Sequence, residues 1–168
     1  MTHRLLLIRH AKSSWDDPSL PDRERPLAKR GHRSATRLAA HLRSAGLRPD
    51  VVLCSPSRRT RETLERLELG DAEIRFEDRL YAASDAELLD AVRRLPEAIG
   101  TAALVGHNPG MQDLAIELVG PDLGEPAVRV REKFPTGALA VFEIDGAWGD
   151  VAPGRARLAT FTVPRELA

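Results

Sequence analysis

The feature that most constrains the fold is the run Leu5–Ile8, four consecutive large apolar residues near the start of the chain. Such a run, without alternation, is typical of a short strand that is buried on both faces in a parallel sheet. Arg9 and His10 follow directly, where that strand ends. Open α/β sheets bind ligands in the crevice outside the carboxyl ends of their strands. The sequence therefore predicts that an anion-binding arginine and an imidazole lie together in such a crevice.

The composition favours one globular domain over residues 1–168. With 168 residues, of which 42% are hydrophobic, the chain can form one substantial core but is too short for two ordinary domains. Its 25 basic and 25 acidic residues cancel, which argues against general attraction to nucleic acid or membranes. The single cysteine, Cys54, excludes an internal disulfide framework. The first apolar run is too short for a secretion signal or a membrane span, so we expect a cytoplasmic protein.

Hydrophobic patterning predicts strands that alternate with helices. We expect a loop over Ser13–Pro26 and, because it holds three prolines and two glycines, irregular structure over Gly120–Pro135. Together the elements predict a single-domain, three-layer α/β/α sandwich with a mostly parallel sheet. The predicted strands are Leu5–Ile8, Val51–Cys54, Glu73–Phe76, Ala102–Val105, Ala138–Ile144 and Arg157–Val163, and the predicted helices are Leu27–Ala45, Arg58–Leu67, Asp85–Leu95 and Met111–Val119.

Three predicted strand ends supply polar groups to the same side of this sheet. The first supplies Arg9 and His10, the second the basic segment Ser55–Arg61, and the third His107 with Asn108. The second and third also begin helices, whose free N–H groups and positive dipole ends favour a bound anion. Each part alone also fits a plainer interpretation, a solvated arginine face or a histidine that caps its own turn. Together they predict a pocket for a phosphoryl group.

Three motifs resemble those of the histidine phosphatase superfamily, which includes the cofactor-dependent phosphoglycerate mutases. Leu7–Trp15 resembles the family's first signature. Cys54–Thr60 is similar to its second motif, whose phosphate-binding arginine corresponds to Arg59, and Val105–Gly110 to its third, with the second histidine at His107. The SixA-type phosphohistidine phosphatases are the most similar branch, because of the short length, the Lys-Ser-Ser-Trp run and the late Phe-Pro-Thr-Gly-Ala segment. The resemblance covers nearly the whole chain and implies a phosphoglycerate mutase-like fold.

The resemblance implies a two-step reaction without a cofactor. His10, as a neutral imidazole, attacks phosphorus and is transiently phosphorylated, and water then releases phosphate. Arg9, Arg59 and His107 hold the three non-bridging oxygens. No metal is implied, because positive side chains neutralise the charge. Further candidates for substrate contact are Lys12, Ser13 and Asn108, although Lys12 and Ser13 fit a solvated loop equally well.

Two departures from the family pattern bear on the substrate. The first motif usually has glycine where this chain has Ala11, which is a small change. Many relatives that cleave phosphate esters have a general-acid glutamate after an Arg-Leu pair, whereas here Tyr81–Ala83 follows Arg79-Leu80. A phosphohistidine leaves as imidazole and tolerates a missing acid, which an alkyl ester does not. Asp78 and Asp85 are close enough in sequence to substitute, so the question stays open.

The leading functional hypothesis is a phosphatase that removes phosphoryl groups from phosphohistidine in a protein. The alternatives are a small-molecule phosphomonoesterase and, from a different class, a non-catalytic phosphate-binding regulatory module. The expected partner is thus a phosphorylated protein or a small phosphorylated metabolite, with no role predicted for nucleic acid or membrane. The sequence leaves the oligomeric state and the physiological substrate open.

Overall fold

The computed structural model describes residues 2–167, and its centre is a six-stranded mixed sheet. The strands are β1 (Thr2–Arg9), β2 (Val51–Cys54), β3 (Glu73–Phe76), β4 (Thr101–Gly106), β5 (Leu139–Asp145) and β6 (Ala156–Thr162). Their order is β3-β2-β4-β1-β5-β6; the first four are mutually parallel, and β5 and β6 join antiparallel at one side. The predicted α/β fold with a mostly parallel sheet is confirmed.

Five helices cover the two faces of this sheet. They are α1 (Lys29–Ser44), α2 (Arg58–Leu67), α3 (Asp85–Arg93), α4 (Gly110–Val119) and α5 (Glu125–Glu132). Ser57 caps α2, and Ser84 forms a capping box with Glu87 at the start of α3, which explains why both helices begin where their sequences predict. None of the described helices combines the length and the apolar content that a bilayer-spanning segment needs.

Strand β1 is buried on both faces, as its unbroken apolar run predicts. Leu5 and Leu7 pack into the core beneath α3, α4 and α5, whereas Leu6 and Ile8 pack into the core beneath α1 and α2. All four side chains have 0% of their surface exposed. Because neighbouring residues of a strand face opposite sides, one apolar run supplies both cores, which makes the architecture three-layered.

The prediction of irregular structure over Gly120–Pro135 is wrong, because helix α5 lies inside it. Pro126 stands in the first turn of α5, where a helix does not need the N–H group that proline lacks. Gly124 is the N-cap, and Ala127 and Val130 turn into the core. Gly124 and Pro126 therefore mark the start of a helix, and they do not indicate that a helix is absent.

Helix α1 also begins later than predicted, at Lys29 rather than Leu27. Leu27 forms an isolated antiparallel bridge with Ser13, and its N–H donates to the Glu62 carboxylate at 2.8 Å. Gly31 then packs on the chain beyond β1, since a Cβ there would lie 2.1 Å from the Lys12 carbonyl oxygen. The start of α1 is thereby fixed against the segment that follows the first strand.

The register of the parallel strands brings three strand ends to one edge of the sheet. Arg9 pairs with Gly106 between β1 and β4, and Cys54 pairs with Val105 between β2 and β4. The next residues along each strand direction, among them His10 and His107, therefore emerge side by side. This edge is where the sequence predicts the ligand to bind.

Candidate active site

The four residues predicted to form the site lie together at this edge. The rings of His10 and His107 have centroids 5.3 Å apart. His10 and Arg59 are each 6% exposed and His107 is 8% exposed, so these polar groups are largely withdrawn from water. Arg9 is half-buried beside them. Burial, and then the charges of Arg59 and Arg9, lower the pKa of both histidines.

His10 has one ring nitrogen fixed and the other free. Its Nδ1 lies 2.7 Å from the carbonyl oxygen of Ala11, a contact that requires Nδ1 to carry the proton and donate. The lone pair is then on Nε2. Burial, with the nearby His107 and arginines, lowers the pKa of His10 to about 3. His10 is thus a neutral imidazole near pH 7, the protonation state that a nucleophile needs.

Arg59 is held by Asp22, which comes from the loop between β1 and α1. The Nη1 of Arg59 donates to the Asp22 carbonyl oxygen at 2.7 Å, and its Nη2 donates to the Asp22 carboxylate at 3.0 Å. The Tyr81 hydroxyl donates to the same carboxylate. The hydrogen bond from Tyr81, followed by those from Arg59, lowers the pKa of Asp22 to about 2, so this carboxylate is ionised at neutral pH.

Arg9 is oriented by a backbone carbonyl. Its Nη1 donates to the oxygen of Phe134 at 3.0 Å, and Asn108 Nδ2 donates to the same oxygen at 3.0 Å. The segment before β5 is in turn tied to the end of β1, because the Gly137 N–H donates to the carbonyls of both Arg9 and His10. Burial, together with the charge of Arg59, lowers the pKa of Arg9.

We assign to His107 the tautomer in which its Nε2 accepts from Ser55. The Ser57 N–H donates to the Ser55 hydroxyl oxygen at 3.4 Å, and that hydroxyl lies 2.8 Å from Nε2 of His107. With Ser55 donating to Nε2, the ring proton is on Nδ1. Burial, and then the charge of Arg59, lowers the pKa of His107 to about 4. His107 is therefore a neutral N–H donor.

Three buried donors at this edge have no hydrogen-bond partner within residues 2–167. They are Nε of Arg9, Nε of Arg59 and Nδ1 of His107. No other buried side-chain nitrogen or oxygen of these residues lacks a partner. Leaving a buried donor unpaired typically costs about 1–3 kcal/mol, so three in one cluster indicate a site built for an external acceptor. An anion with several acceptor oxygens and no donors meets that requirement.

The other candidate residues lie around the cluster in different roles. The buried Ser13 hydroxyl accepts from Arg25 at 2.8 Å, and Asn108 uses both ends of its amide, on Phe134 and on the Gln112 N–H. Lys12 is exposed and lines a separate cavity, which is described below. Ser13 and Asn108 therefore hold the surrounding structure through contacts of their own.

Neither aspartate considered as a general acid contacts the four clustered residues. Asp78 is 91% exposed at its side chain and pairs with Arg23 at 3.5 Å. Asp85 interacts with Glu117 of α4, whose pKa is raised by burial first and by this neighbouring carboxyl group second. The carboxylate that does reach the cluster is that of Asp22, for which the sequence pattern predicts no role.

The residues that sequence reasoning missed are supports rather than members of the cluster. Asp22 and Tyr81 come from connecting segments, where no periodicity marks one residue above its neighbours. Ser55 and Thr63 belong to the second motif and its helix; Thr63 accepts from the Ala11 N–H at 3.0 Å and donates to the Arg59 carbonyl at 2.7 Å. The signal available in the sequence was the concentration of hydroxyl residues beside the predicted arginine.

Residues 2–167 contain no group of three or more His, Cys, Asp or Glu side chains arranged to hold a metal ion. The donors that face one another here are arginine and histidine N–H groups, which suit an anion rather than a cation.

Comparison with known proteins gives related sequences over most of the chain. The profile of the histidine phosphatase superfamily (branch 1) matches residues 5–84. An uncharacterised protein of Mycobacterium tuberculosis is 41% identical over 160 residues, which cover 94% of this chain and 100% of the relative. An uncharacterised chloroplastic protein of Arabidopsis thaliana is 36% identical over 136 residues, which cover 73% of this chain and 62% of that protein.

Solved structures agree with the sequence relatives. A protein of Nakamurella multipartitia assigned as the phosphohistidine phosphatase SixA superposes with a TM-score of 0.88 at 32% identity, covering 98% of this chain and 97% of its own. Its counterpart from Agrobacterium tumefaciens gives a TM-score of 0.83 at 30% identity, covering 96% and 98%. The chain thus belongs to the histidine phosphatase superfamily, in its SixA-type branch, and is a phosphatase.

Proposed function

We propose that this phosphatase acts on phosphohistidine in a protein, without a metal, and that His10 is its nucleophile. The observation that carries the proposal is the set of three unpartnered donors on Arg9, Arg59 and His107 around a neutral His10. A phosphoryl group offers three non-bridging oxygens that accept hydrogen bonds and donate none. The match in number and in polarity supports binding of one phosphoryl group by these three residues.

In the first step, Nε2 of His10 attacks phosphorus. A bond forms between Nε2 and phosphorus while the bond between phosphorus and the substrate's histidine nitrogen breaks. The electron pair of the broken bond stays on the departing nitrogen. Because the other ring nitrogen of the substrate's phosphohistidine carries a proton, the histidine leaves as a neutral imidazole. Arg9 and Arg59 stabilise the charge on the non-bridging oxygens during transfer, and the Nδ1–H bond to Ala11 keeps the attacking lone pair on Nε2.

In the second step, water attacks the phosphoryl group held on His10. The new oxygen–phosphorus bond replaces the bond to Nε2, whose electron pair returns to His10. Inorganic phosphate leaves, and the proton of the attacking water passes to the phosphate or to solvent. The sum of both steps converts phosphohistidine and water into histidine and phosphate, and His10 is regenerated as a neutral imidazole.

The substrate class is supported by the lack of an acidic group that could protonate a leaving group at the cluster, within residues 2–167. The nearby carboxyl group, Asp22, has a pKa of about 2 and is committed to Arg59. The Tyr81 hydroxyl donates its proton to Asp22. An alkyl phosphate needs a proton delivered to its departing alkoxide, whereas a departing imidazole is stable without one. The SixA assignment of the solved relatives from Nakamurella and Agrobacterium supports the same substrate class.

The proposal is tested by hydrolysis of substrates with graded leaving groups. A phosphohistidine-bearing protein, aryl phosphates and alkyl phosphates are compared at pH 7, with His10→Ala as the inactive control and His32→Ala on α1 as a matched surface control. Because general acid catalysis is typically worth on the order of 10²–10⁴-fold, alkyl phosphates should be slower than the activated substrates by a comparable factor. His32→Ala should behave as the wild type.

Two outcomes would contradict this assignment. Equal rates for alkyl and aryl esters, with chemistry rate-limiting, would reveal a general acid and favour a small-molecule phosphomonoesterase. Binding of phosphate without turnover of any substrate would leave the non-catalytic regulatory module as the remaining interpretation.

Metal independence is tested by exhaustive chelation. Turnover of the phosphohistidine protein should be unchanged after dialysis against EDTA, because Arg9 and Arg59 supply the positive charge that Mg²⁺ supplies in other phosphoryl transfer enzymes. Loss of activity with EDTA that one divalent cation restores would contradict the proposal.

A further inference from the structure

A strongly basic cavity lies next to the edge of the sheet that carries Arg9, His10, Arg59 and His107, hereafter the catalytic edge. It is a cavity of about 570 Å³ between α1, the segment from α5 into β5, and the end of β6 with the turn that follows it. Seven of its fourteen lining residues are lysine or arginine, and one, Glu132, is acidic. Since the whole chain has equal numbers of basic and acidic residues, this cationic groove is a local concentration of charge.

The positive charges stand on two facing walls. Arg30, Arg33 and Arg37 lie on one face of α1, spaced by three and four residues so that they form a single row. Arg129, Lys133 and Arg165 form the opposite wall, and Lys12 lies at the end of the groove nearest the catalytic edge. Phe161, Val163 and Pro164 supply an apolar lining between the walls.

Among the described residues, six of these seven cations have no partner. Arg129 pairs with Glu125 and Glu166 and donates to the Phe161 carbonyl. Within residues 2–167, the other six make neither an ion pair nor a side-chain hydrogen bond; they are Lys12, Arg30, Arg33, Arg37, Lys133 and Arg165. Like charges gathered around one cavity repel each other unless an anion lies between them.

The start of α1 adds to this imbalance. Its first turn has no acidic residue and carries Lys29 and Arg30, although the positive end of a helix dipole favours negative charge there. Its N-cap, Ala28, makes no side-chain capping hydrogen bond. These choices are unfavourable for an isolated helix and become favourable when an anion is bound beside it.

The size and chemistry of the groove select among anions. Its volume falls in the range of about 300–1,000 Å³ that is usual for small-molecule sites. A stable protein–protein interface, by contrast, buries about 800 Å² on each partner. A guanidinium group can bind two phosphate oxygens at once, and the groove has guanidinium groups on both walls. A single carboxylate would contact the guanidinium groups of one wall only.

We propose that the cationic groove binds a small anion with several linked phosphate groups, either inorganic polyphosphate or the phosphate chain of a nucleotide. The site is distinct from the phosphoryl site, with which it shares none of the four clustered residues. The two sites are adjacent, because Lys12 is two residues from His10 and Gly31 of α1 packs against the Lys12 backbone. The proposal goes beyond the phosphatase reaction and does not depend on it.

The test is calorimetric titration with magnesium-free tripolyphosphate and, separately, with ATP. The protein is the full chain carrying His10→Ala, so that no probe is hydrolysed. The groove variant also carries Arg33→Gln and Arg37→Gln. The matched control instead carries Arg43→Gln. Arg43 is an exposed arginine on another face of the same helix and lies 3.9 Å from Glu68. The groove substitutions should weaken tripolyphosphate binding at least tenfold, whereas Arg43→Gln should change it less than twofold.

The two probes separate the sources of the anion. Equal affinity for tripolyphosphate and ATP assigns recognition to the phosphates alone, and tighter binding of ATP assigns a contribution from its base to the apolar lining. Undiminished tripolyphosphate binding by the groove variant would overturn the proposal by locating the anion at the catalytic edge. Tighter binding of a decaglutamate peptide than of either probe would overturn it in favour of an acidic protein partner. Circular dichroism of each variant excludes misfolding as the cause of lost binding.

Discussion

The catalytic edge and the cationic groove both gather positive charge, but they do so in opposite ways. At the edge, Arg59 and the two histidines are less than 10% exposed, and each is held by protein groups such as Asp22 and Ser55. In the groove, Arg30, Arg33 and Arg37 are exposed and unfixed. The first arrangement has its donors oriented before a ligand arrives, as transition-state stabilisation requires. The second offers affinity for an anion without fixing its geometry.

The two sites differ in how much they destabilise the folded chain and in what offsets that destabilisation. Withdrawing Arg9, Arg59 and His107 from water, with one donor unpaired on each, destabilises the folded chain. The apolar strand β1 and the cores on both its faces offset this cost. The groove arginines stay solvated, so their cost is limited to mutual repulsion, which salt screens. Substitutions at the edge should therefore act on chemistry, and substitutions in the groove on binding that depends strongly on salt.

Among substitutions that leave the proposed nucleophile in place, the largest expected effect is that of Arg59→Ala. It removes a buried, oriented cation from the proposed phosphoryl site, and loss of one such donor typically costs on the order of 10²–10³-fold in rate. Steady-state hydrolysis of an aryl phosphate measures the change in kcat/KM. Arg43→Gln, an exposed arginine of α1 outside both regions, should leave kcat/KM within twofold of the wild type. A loss of kcat/KM below tenfold for Arg59→Ala would show that the buried, oriented position of Arg59 does not give it the expected contribution to the rate.

A smaller effect is expected on stability as the pH falls. Folding lowers the pKa of His10 to about 3 and of His107 to about 4, so below pH ~6.5 the unfolded chain binds more protons than the folded chain. The stability that the neutral histidines confer at pH 7 is lost progressively between about pH 6.5 and the folded-state values. At pH 5 the loss is about 2 kcal/mol for each histidine.

Urea unfolding at pH 7 and pH 5 measures this loss, and His10→Gln provides the comparison. The free energy of unfolding should fall by about 4 kcal/mol in the wild type and by about half as much in the variant, which retains only His107 of these two histidines. Equal pH dependence in both proteins would mean that His10 titrates normally in the folded state, contrary to the burial seen at the edge.

The sequence predicted the edge better than the groove for a physical reason. Each residue of the edge directly follows or closely follows a buried apolar run, and the ends of parallel strands meet wherever the sheet forms, so Arg9 and His107 are neighbours by topology alone. Asp22 and Tyr81 come from loops, whose paths depend on side-chain contacts that no period records. Their support of Arg59 therefore became visible only in three dimensions.

The groove could not be predicted, because its charges come from four separated parts of the chain. In sequence, Arg30, Arg33 and Arg37 are an ordinary solvated helix face, and Arg129 and Lys133 fall in a segment predicted to be irregular. Helix α5, which the prolines and glycines of its segment hid from prediction, places part of the second wall opposite α1. The same error in local structure thus concealed one helix and one candidate binding site.

The central claim is that His10 becomes phosphorylated, and rapid-quench trapping tests it most directly. The wild-type chain is mixed with a ³²P-labelled phosphohistidine protein, quenched in base because phosphohistidine is acid-labile, and digested to locate the label. We expect transient, acid-labile and base-stable label on the peptide that contains His10, and neither label nor turnover in His10→Ala. Label on another residue, or robust turnover by His10→Ala, would contradict the account.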